Sequence, residues 1–145
     1  MSAIIELSGS VHEAQSAWCD PGGWAQWVDQ LARVVEVQGA WPDPGAVVVW
    51  ESGPAGRGTV RERSAEFEPL RELTVEVDDA SITGIQRVSF DPVPDGVQVT
   101  LSLDYQLKRR SPFSWLVDLL FIRRLMGASL ARTLSQFRAA VEAPR

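Results

Sequence analysis

The residues in this chain that could do chemistry are few and scattered. There is one histidine, His12, and one cysteine, Cys19. A nucleophile–base–acid set would have to use His12, which falls in the first turn of a helix and is expected to be solvated. Cys19 lies at the C-terminal end of that helix, where no positive end of a helix dipole favours a thiolate, so it reads as a small apolar filler. A lone His and a lone Cys also leave no metal site, and no cofactor is implied. Glu62, Glu66 and Tyr105 could act as general acid or base if they face a cavity, but strand register is not fixed by sequence. Gly53-Pro-Ala-Gly-Arg-Gly58 has the glycines of a phosphate loop. It falls between strands and not before a helix, so a hairpin loop is the expectation. Catalytic residues are therefore left unassigned.

Binding chemistry is better represented. The chain holds six tryptophans and five phenylalanines against a single tyrosine, a heavy apolar aromatic load for 145 residues. Trp18, Trp24, Trp27, Trp41, Trp50, Phe90 and Tyr105 could line a ligand cavity, whose walls are typically apolar with a few polar tips. The alternative is that some of them, Trp18 first, are ordinary core. Arg123 stands out in another way. On a helical projection Leu116, Leu119, Leu120, Leu130, Leu134, Phe137 and Val141 share one face, and Arg123 falls in its middle. A buried arginine must be paired, reach a pocket mouth, or meet an acidic ligand. The candidates are a ligand carboxylate or enolate, an internal partner such as Glu62 or Glu66, or exposure through a bend in the helix. The expected ligand-contacting set is Trp27, Trp41, Trp50, Phe90, Leu103, Tyr105, Leu116, Leu120, Arg123 and Leu130.

The elements that must position these residues follow from periodicity. Residues 3–8 form a short strand. Ser10 and Glu13 make a capping box before a helix over 11–19, which Asp20-Pro-Gly-Gly23 stops, and 24–28 form a second short helix. From Arg33 the period becomes two, with Val35 and Val37 alternating with Glu36 and Gln38. Strands follow over 47–51, 59–67, 72–77 and 82–90, separated by Pro-, Gly- and Asp-rich turns. Between Val97 and Leu107 strict alternation identifies a half-buried antiparallel strand with one wet face. Ser111-Pro112 then opens a helix running to about Val141, of length about 45 Å. Only this helix is long enough to cover the sheet's apolar face. Its first half (Phe113, Trp115, Val117, Phe121, Ile122, Leu125) is apolar nearly all round, which a homodimer, a docked lid, contact with a membrane surface or hydrophobic ligand donor, or cover by neighbouring loops would explain.

The order strand, two short helices, six strands and one long helix resembles the helix-grip fold of the START / Bet v 1-like (SRPBCC) superfamily, in particular its bacterial polyketide cyclase/dehydratase-like branch. The resemblance is carried by Gly9-Ser-Val-His-Glu-Ala-Gln-Ser-Ala-Trp18, Asp20-Pro-Gly-Gly-Trp-Ala-Gln-Trp27, the Asp95-Gly96 turn with its alternating strand, and Ser129-Leu-Ala-Arg-Thr-Leu134. It covers nearly the whole chain, and its motifs are diffuse. It implies an α+β domain spanning 1–145, a curved antiparallel seven-stranded sheet wrapped on the C-terminal helix. Between the two it implies a cavity for a lipid or polyketide-like molecule. The Gly-rich loop of plant members is not matched, because Trp41-Pro-Asp-Pro-Gly45 stands there. Binding or carriage of a hydrophobic small molecule is the first expectation. A cyclase, dehydratase or aromatase using the same cavity is the second, and a protein-interaction role through the start of the last helix is the third.

The remaining composition excludes other classes. Net charge is −5, without a concentrated basic stretch, which argues against nucleic acid as a partner. No run of about 18 uncharged apolar residues is present to span a membrane. The N-terminal residues lack a basic region followed by an apolar run, so a cytoplasmic location is expected.

Overall fold

A computed structural model describes residues 1–54, 58–108 and 115–143, the side chains of 115–122 excepted. The expected Ser111-Pro112 helix start, Phe113, and the side chains of Trp115, Leu116, Val117, Leu119, Leu120, Phe121 and Ile122 lie outside what is described.

The chain runs β1 (Ser2–Leu7), α1 (Val11–Trp18), a 3₁₀ helix (Pro21–Gln26), β2 (Leu31–Gln38), β3 (Val47–Ser52), β4 (Thr59–Glu68), β5 (Glu72–Asp78), β6 (Ile82–Val93), β7 (Gly96–Leu107) and α2 (Trp115–Glu142). All seven strands form one sheet in the order β1-β7-β6-β5-β4-β3-β2, each pair antiparallel. This is the helix-grip arrangement. Irregular register between Leu31 and Arg33, Val34 and Glu36, and Ser64 and Glu66 marks bulges in β2 and β4. Bulges bend a strand and increase its twist, which curves the sheet around its contents.

Alternation decides which side chains enter that curve. Val97, Val99, Leu101 and Leu103 are buried on β7, with Leu73, Val75 and Val77 on β5 and Val60, Glu62 and Ser64 on β4. The last helix packs on β1, β7 and the 3₁₀ helix, through buried Leu130, Leu134 and Phe137. Its far end is tied down as well. The backbone N–H and hydroxyl of Ser8 both donate to Glu142 Oε2, at 2.8 and 2.9 Å. With Arg138 Nε donating to the other oxygen, these bonds hold the exposed Glu142 carboxyl down to about 2.

The start of the chain folds by local capping. Ser10 Oγ accepts from the Glu13 backbone N–H at 3.1 Å and meets the Glu13 carboxylate at 3.2 Å, the expected capping box. Asp20-Pro21 does more than stop α1. The Asp20 carboxylate accepts from Gly22 N–H at 3.1 Å and Pro21 is the first residue of the 3₁₀ helix. That second helix therefore covers 21–26 and not the expected 24–28. Buried Gln15 clamps α1 to the turn between β4 and β5. Its Nε2 donates to the Glu68 carbonyl at 3.1 Å and its Oε1 accepts from Leu70 N–H at 2.6 Å.

Two details depart from the pattern read in sequence. Val35 and Val37 are about half exposed, not inward, because the irregular register of β2 turns Leu31 and Val34 toward the core instead. Gly96 is required for its size. A Cβ there would overlap the Leu7 carbonyl oxygen where β1 crosses the β6–β7 turn. Gly96→Ala is therefore expected to cost at least about 1 kcal/mol, read as a lower urea midpoint at unchanged slope. A midpoint equal to the parent's would contradict that contact.

Candidate functional site

Between the sheet and α2 lies a cavity of about 50 Å³. Trp18, Trp24, Trp27 and Trp50 form much of its wall, with Val77, Leu101 and Leu130 completing the apolar part. Polar side chains enter from two sides: Glu62 and Gln86 from the sheet, and Asp29, Ser129 and Thr133 from the seam between the 28–31 loop and α2. Sites for drug-sized ligands run to roughly 300–1,000 Å³. The space as it stands therefore holds a few waters or a small polar group.

The tryptophans are placed by the two short helices and β3. Capping by Asp20 sets the 3₁₀ helix, and Trp24 Nε1 donates to the Trp18 carbonyl at 2.8 Å. This lays Trp27 against Trp18, with ring centroids 4.6 Å apart. Phe137 of α2 meets both rings edge-on, at 5.0 and 4.8 Å. Trp50 enters from the opposite wall, and its Nε1 donates to Glu62 Oε2 at 2.7 Å.

Cross-strand register explains the polar row on the sheet. Glu62 pairs with Val77, Val77 with Gly84, and Gly84 with Tyr105. Gln86 lies one row on, opposite Val75 and Leu103. Glu66 shares no face with Glu62 because the bulge after Ser64 shifts the alternation, and it is exposed.

Asp29 joins the loop to the helix. Its carboxylate accepts from Ser129 Oγ at 2.7 Å and from Arg132 Nε and Nη2 at 3.1 and 3.2 Å. Its backbone N–H donates to Thr133 Oγ1 at 3.0 Å. These bonds raise the Arg132 pKa, the hydrogen bond contributing more than the charge.

Of the residues expected to contact a ligand, Trp27, Trp50 and Leu130 come together on the cavity wall. Phe90 is buried behind it, edge-on to Trp18 at 6.4 Å. Leu103 is buried beside Gln86 on the sheet. Trp41 lies off the cavity, packed edge-on against Trp24 at 5.7 Å, with its buried Nε1 making no hydrogen bond among the described residues. Tyr105 is half-buried and lines an open groove with Gly84 and Asp104. Burial raises its phenol pKa, opposed by the positive charge of Arg123. Arg123 itself is exposed, one of the outcomes its place on the helix left open. It shares a helix face with Leu130 two turns on, which is buried. Leu116 and Leu120 fall among the side chains not described.

Asp29 and Gln86 carry no motif signal in the sequence as site residues, and Ser129 and Thr133 stand there only within the Ser129–Leu134 motif. A lone Asp within Trp27-Val-Asp-Gln-Leu31 carries no motif, and its partners lie about a hundred residues away. Gln86 could have been found, since it alternates with Val88 and Phe90. The remaining chemistry is sparse. His12 is exposed, and burial pushes the Cys19 thiol up to about 12. Among the described residues no cluster of metal-binding side chains occurs, and no helix is long and apolar enough to cross a membrane.

A curved antiparallel sheet gripping a long C-terminal helix defines the helix-grip class of folds. Residues 1–142 match the family model described as polyketide cyclase / dehydrase and lipid transport, and the chain belongs to that family. No curated protein matches the sequence. Among solved structures, a START superfamily protein from Mycobacterium smegmatis is similar over 98% of this chain and 96% of its own, with TM-score 0.79 at 17% identity. The di-domain ARO/CYC StfQ of the steffimycin biosynthetic pathway has TM-score 0.78 at 16% identity, covering 98% of this chain and 50% of that one. A protein from Thermus thermophilus has TM-score 0.77 at 16% identity, covering 99% and 97%. At these identities the likeness is one of fold.

Proposed function

We propose that this protein binds or carries a hydrophobic small molecule, lipid or polyketide-like, between its sheet and its C-terminal helix. The carrying observation is the wall itself: four indoles and aliphatic side chains interrupted by a few convergent polar groups, under a helix whose side chains at 123–125 are exposed. Ligand contacts are assigned to Trp27, Trp50 and Leu130 at the cavity, with Phe90, Leu103 and Tyr105 met as the space widens. Trp41, Leu116 and Leu120 belong to the same proposal, and exposed Arg123 acts on Tyr105 through its charge.

Native mass spectrometry of freshly purified protein tests this, together with tryptophan fluorescence during titration with a long-chain fatty acid. A co-purifying adduct or a saturable emission shift is expected, because Trp18, Trp24, Trp27 and Trp50 all line the space. Protein that is persistently empty and spectrally silent would overturn the proposal.

One observation favours a second reading, a cyclase- or dehydratase-type enzyme: Glu62 is a buried carboxylate on the cavity wall, where it could accept a proton from a folded polyketone. The scarcity of other acid–base groups around it keeps binding as the first choice. An interaction role or homodimer would use the helix start, whose side chains are not described.

A further inference from the structure

Most polar side chains on the cavity wall are engaged with other parts of the protein. Glu62 accepts from Trp50 Nε1 at 2.7 Å. Asp29 accepts from Ser129 Oγ and from Arg132, and its backbone N–H donates to Thr133 Oγ1. Gln86 is different. It interrupts the inward row of β6, where Ile82, Val88 and Phe90 are buried and apolar, and it lies between buried Val75 and Leu103 on the neighbouring strands. Its side-chain amide lines the cavity and makes no hydrogen bond to another described residue. A polar group set into an apolar wall is costly unless something satisfies it. An amide can satisfy and be satisfied in turn, with one acceptor oxygen, two N–H donors and no charge.

Charge narrows the choice of partner. Among the described residues no Lys, Arg or His side chain lines the cavity, so an anionic head buried there would lack an opposite charge. Both carboxylates on the wall are occupied, Glu62 by Trp50 and a further partner and Asp29 by Arg132, so neither is spare for a cation. An uncharged head requires no counter-charge. The volume, about 50 Å³, exceeds the roughly 10–15 Å³ that one water takes on this scale, and admits a head of a few heavy atoms.

We infer that Gln86 anchors an uncharged oxygen head of the ligand, a hydroxyl or a carbonyl, while the apolar body lies against Trp27, Trp50 and Leu130. A hydroxyl donates to Gln86 Oε1, and a carbonyl accepts from Nε2. This rests on the ligand-binding proposal above and adds the charge, the chemistry and the place of the ligand's polar end.

The test follows tryptophan fluorescence while titrating four ligands with ten-carbon chains: 1-decanol, 2-decanone, decanoate and decyltrimethylammonium. Each stays below its aggregation limit, near pH 7.5 so that decanoate is ionised, at about 0.15 M salt to screen surface attraction. The alcohol and the ketone are expected to bind about tenfold or more tighter than either charged ligand. Gln86→Met keeps the length of the side chain and removes its hydrogen-bonding groups. It should weaken both neutral ligands about tenfold, change the charged ones by no more than about twofold, and leave the urea midpoint no lower than the parent's. That last readout separates an anchor for a ligand from a residue that merely supports the fold. A charged ligand binding as tightly as the neutral ones overturns the inference and leaves hydrophobic binding intact. A neutral preference that survives Gln86→Met places the head elsewhere and also overturns it. Failure of all four ligands to bind removes both proposals. Should Gln86→Met not fold, the side-chain amide resonances of Gln86 in the nitrogen-15-labelled parent decide: saturating decanol must shift them, and unmoved resonances overturn the anchor.

Discussion

Phe137→Ala should destabilise the protein by about 3–5 kcal/mol, lowering its melting temperature by roughly 8–15 °C. Phe137 is fully buried and is the ring through which α2 reaches the aromatic cluster, edge-on to both Trp18 and Trp27. Truncation removes the transfer free energy of the ring and both aromatic contacts. It also leaves a void that the indoles, anchored by Asp20 capping and the Trp24–Trp18 carbonyl bond, cannot easily collapse to fill. Phe137→Leu keeps most of the volume and should recover more than half of the loss. Thermal and urea unfolding of the two variants would decide. A loss below about 1 kcal/mol for the alanine variant would show that the helix is held elsewhere.

That ring illustrates what sequence could and could not supply. Its helix face was legible, since Leu130, Leu134, Phe137 and Val141 recur at helical spacing and Leu130, Leu134 and Phe137 are buried. The strands were legible for the same reason, most clearly Val97 to Leu107. For Arg123 the sequence left pairing, ligand contact and exposure open, because a helical projection gives the direction of a side chain but not what lies opposite it; the side chain is exposed. Glu62 and Glu66 were indistinguishable by type and spacing until the bulge after Ser64 sent one inward and the other out. The tryptophans came closest to revealing the site, because their crowding between Trp18 and Trp41 marks the short helices that close one end of the cavity. Trp41 nonetheless belongs to that closure and not to the wall.

Asp29→Ala is expected to have the second large effect, and to act on ligand entry as well as on stability. One residue supplies three side-chain hydrogen bonds to a single turn of α2, two of them from Arg132. The Asp29 side chain is only 9% exposed while that of Arg132 is 48% exposed. The guanidinium can therefore rehydrate after the substitution, and the cost is that of the lost charge-assisted bonds, about 2–3 kcal/mol, rather than that of a stranded buried charge. The backbone bond from Asp29 to Thr133 survives, so the loop should loosen without unfolding. Because Val28, Asp29, Ser129 and Thr133 all line the cavity, a weaker seam lowers the work of lifting α2 from the sheet. Stopped-flow fluorescence should then show a hydrophobic probe entering severalfold faster than in the parent, and amides of the loop should exchange faster with deuterium. Asp29→Asn, which keeps the shape but not the charge, should fall between the two. If Asp29→Ala lowered stability as expected and left the entry rate unchanged, the seam would be a structural tie only, and the ligand would have to enter from the opposite end of the helix.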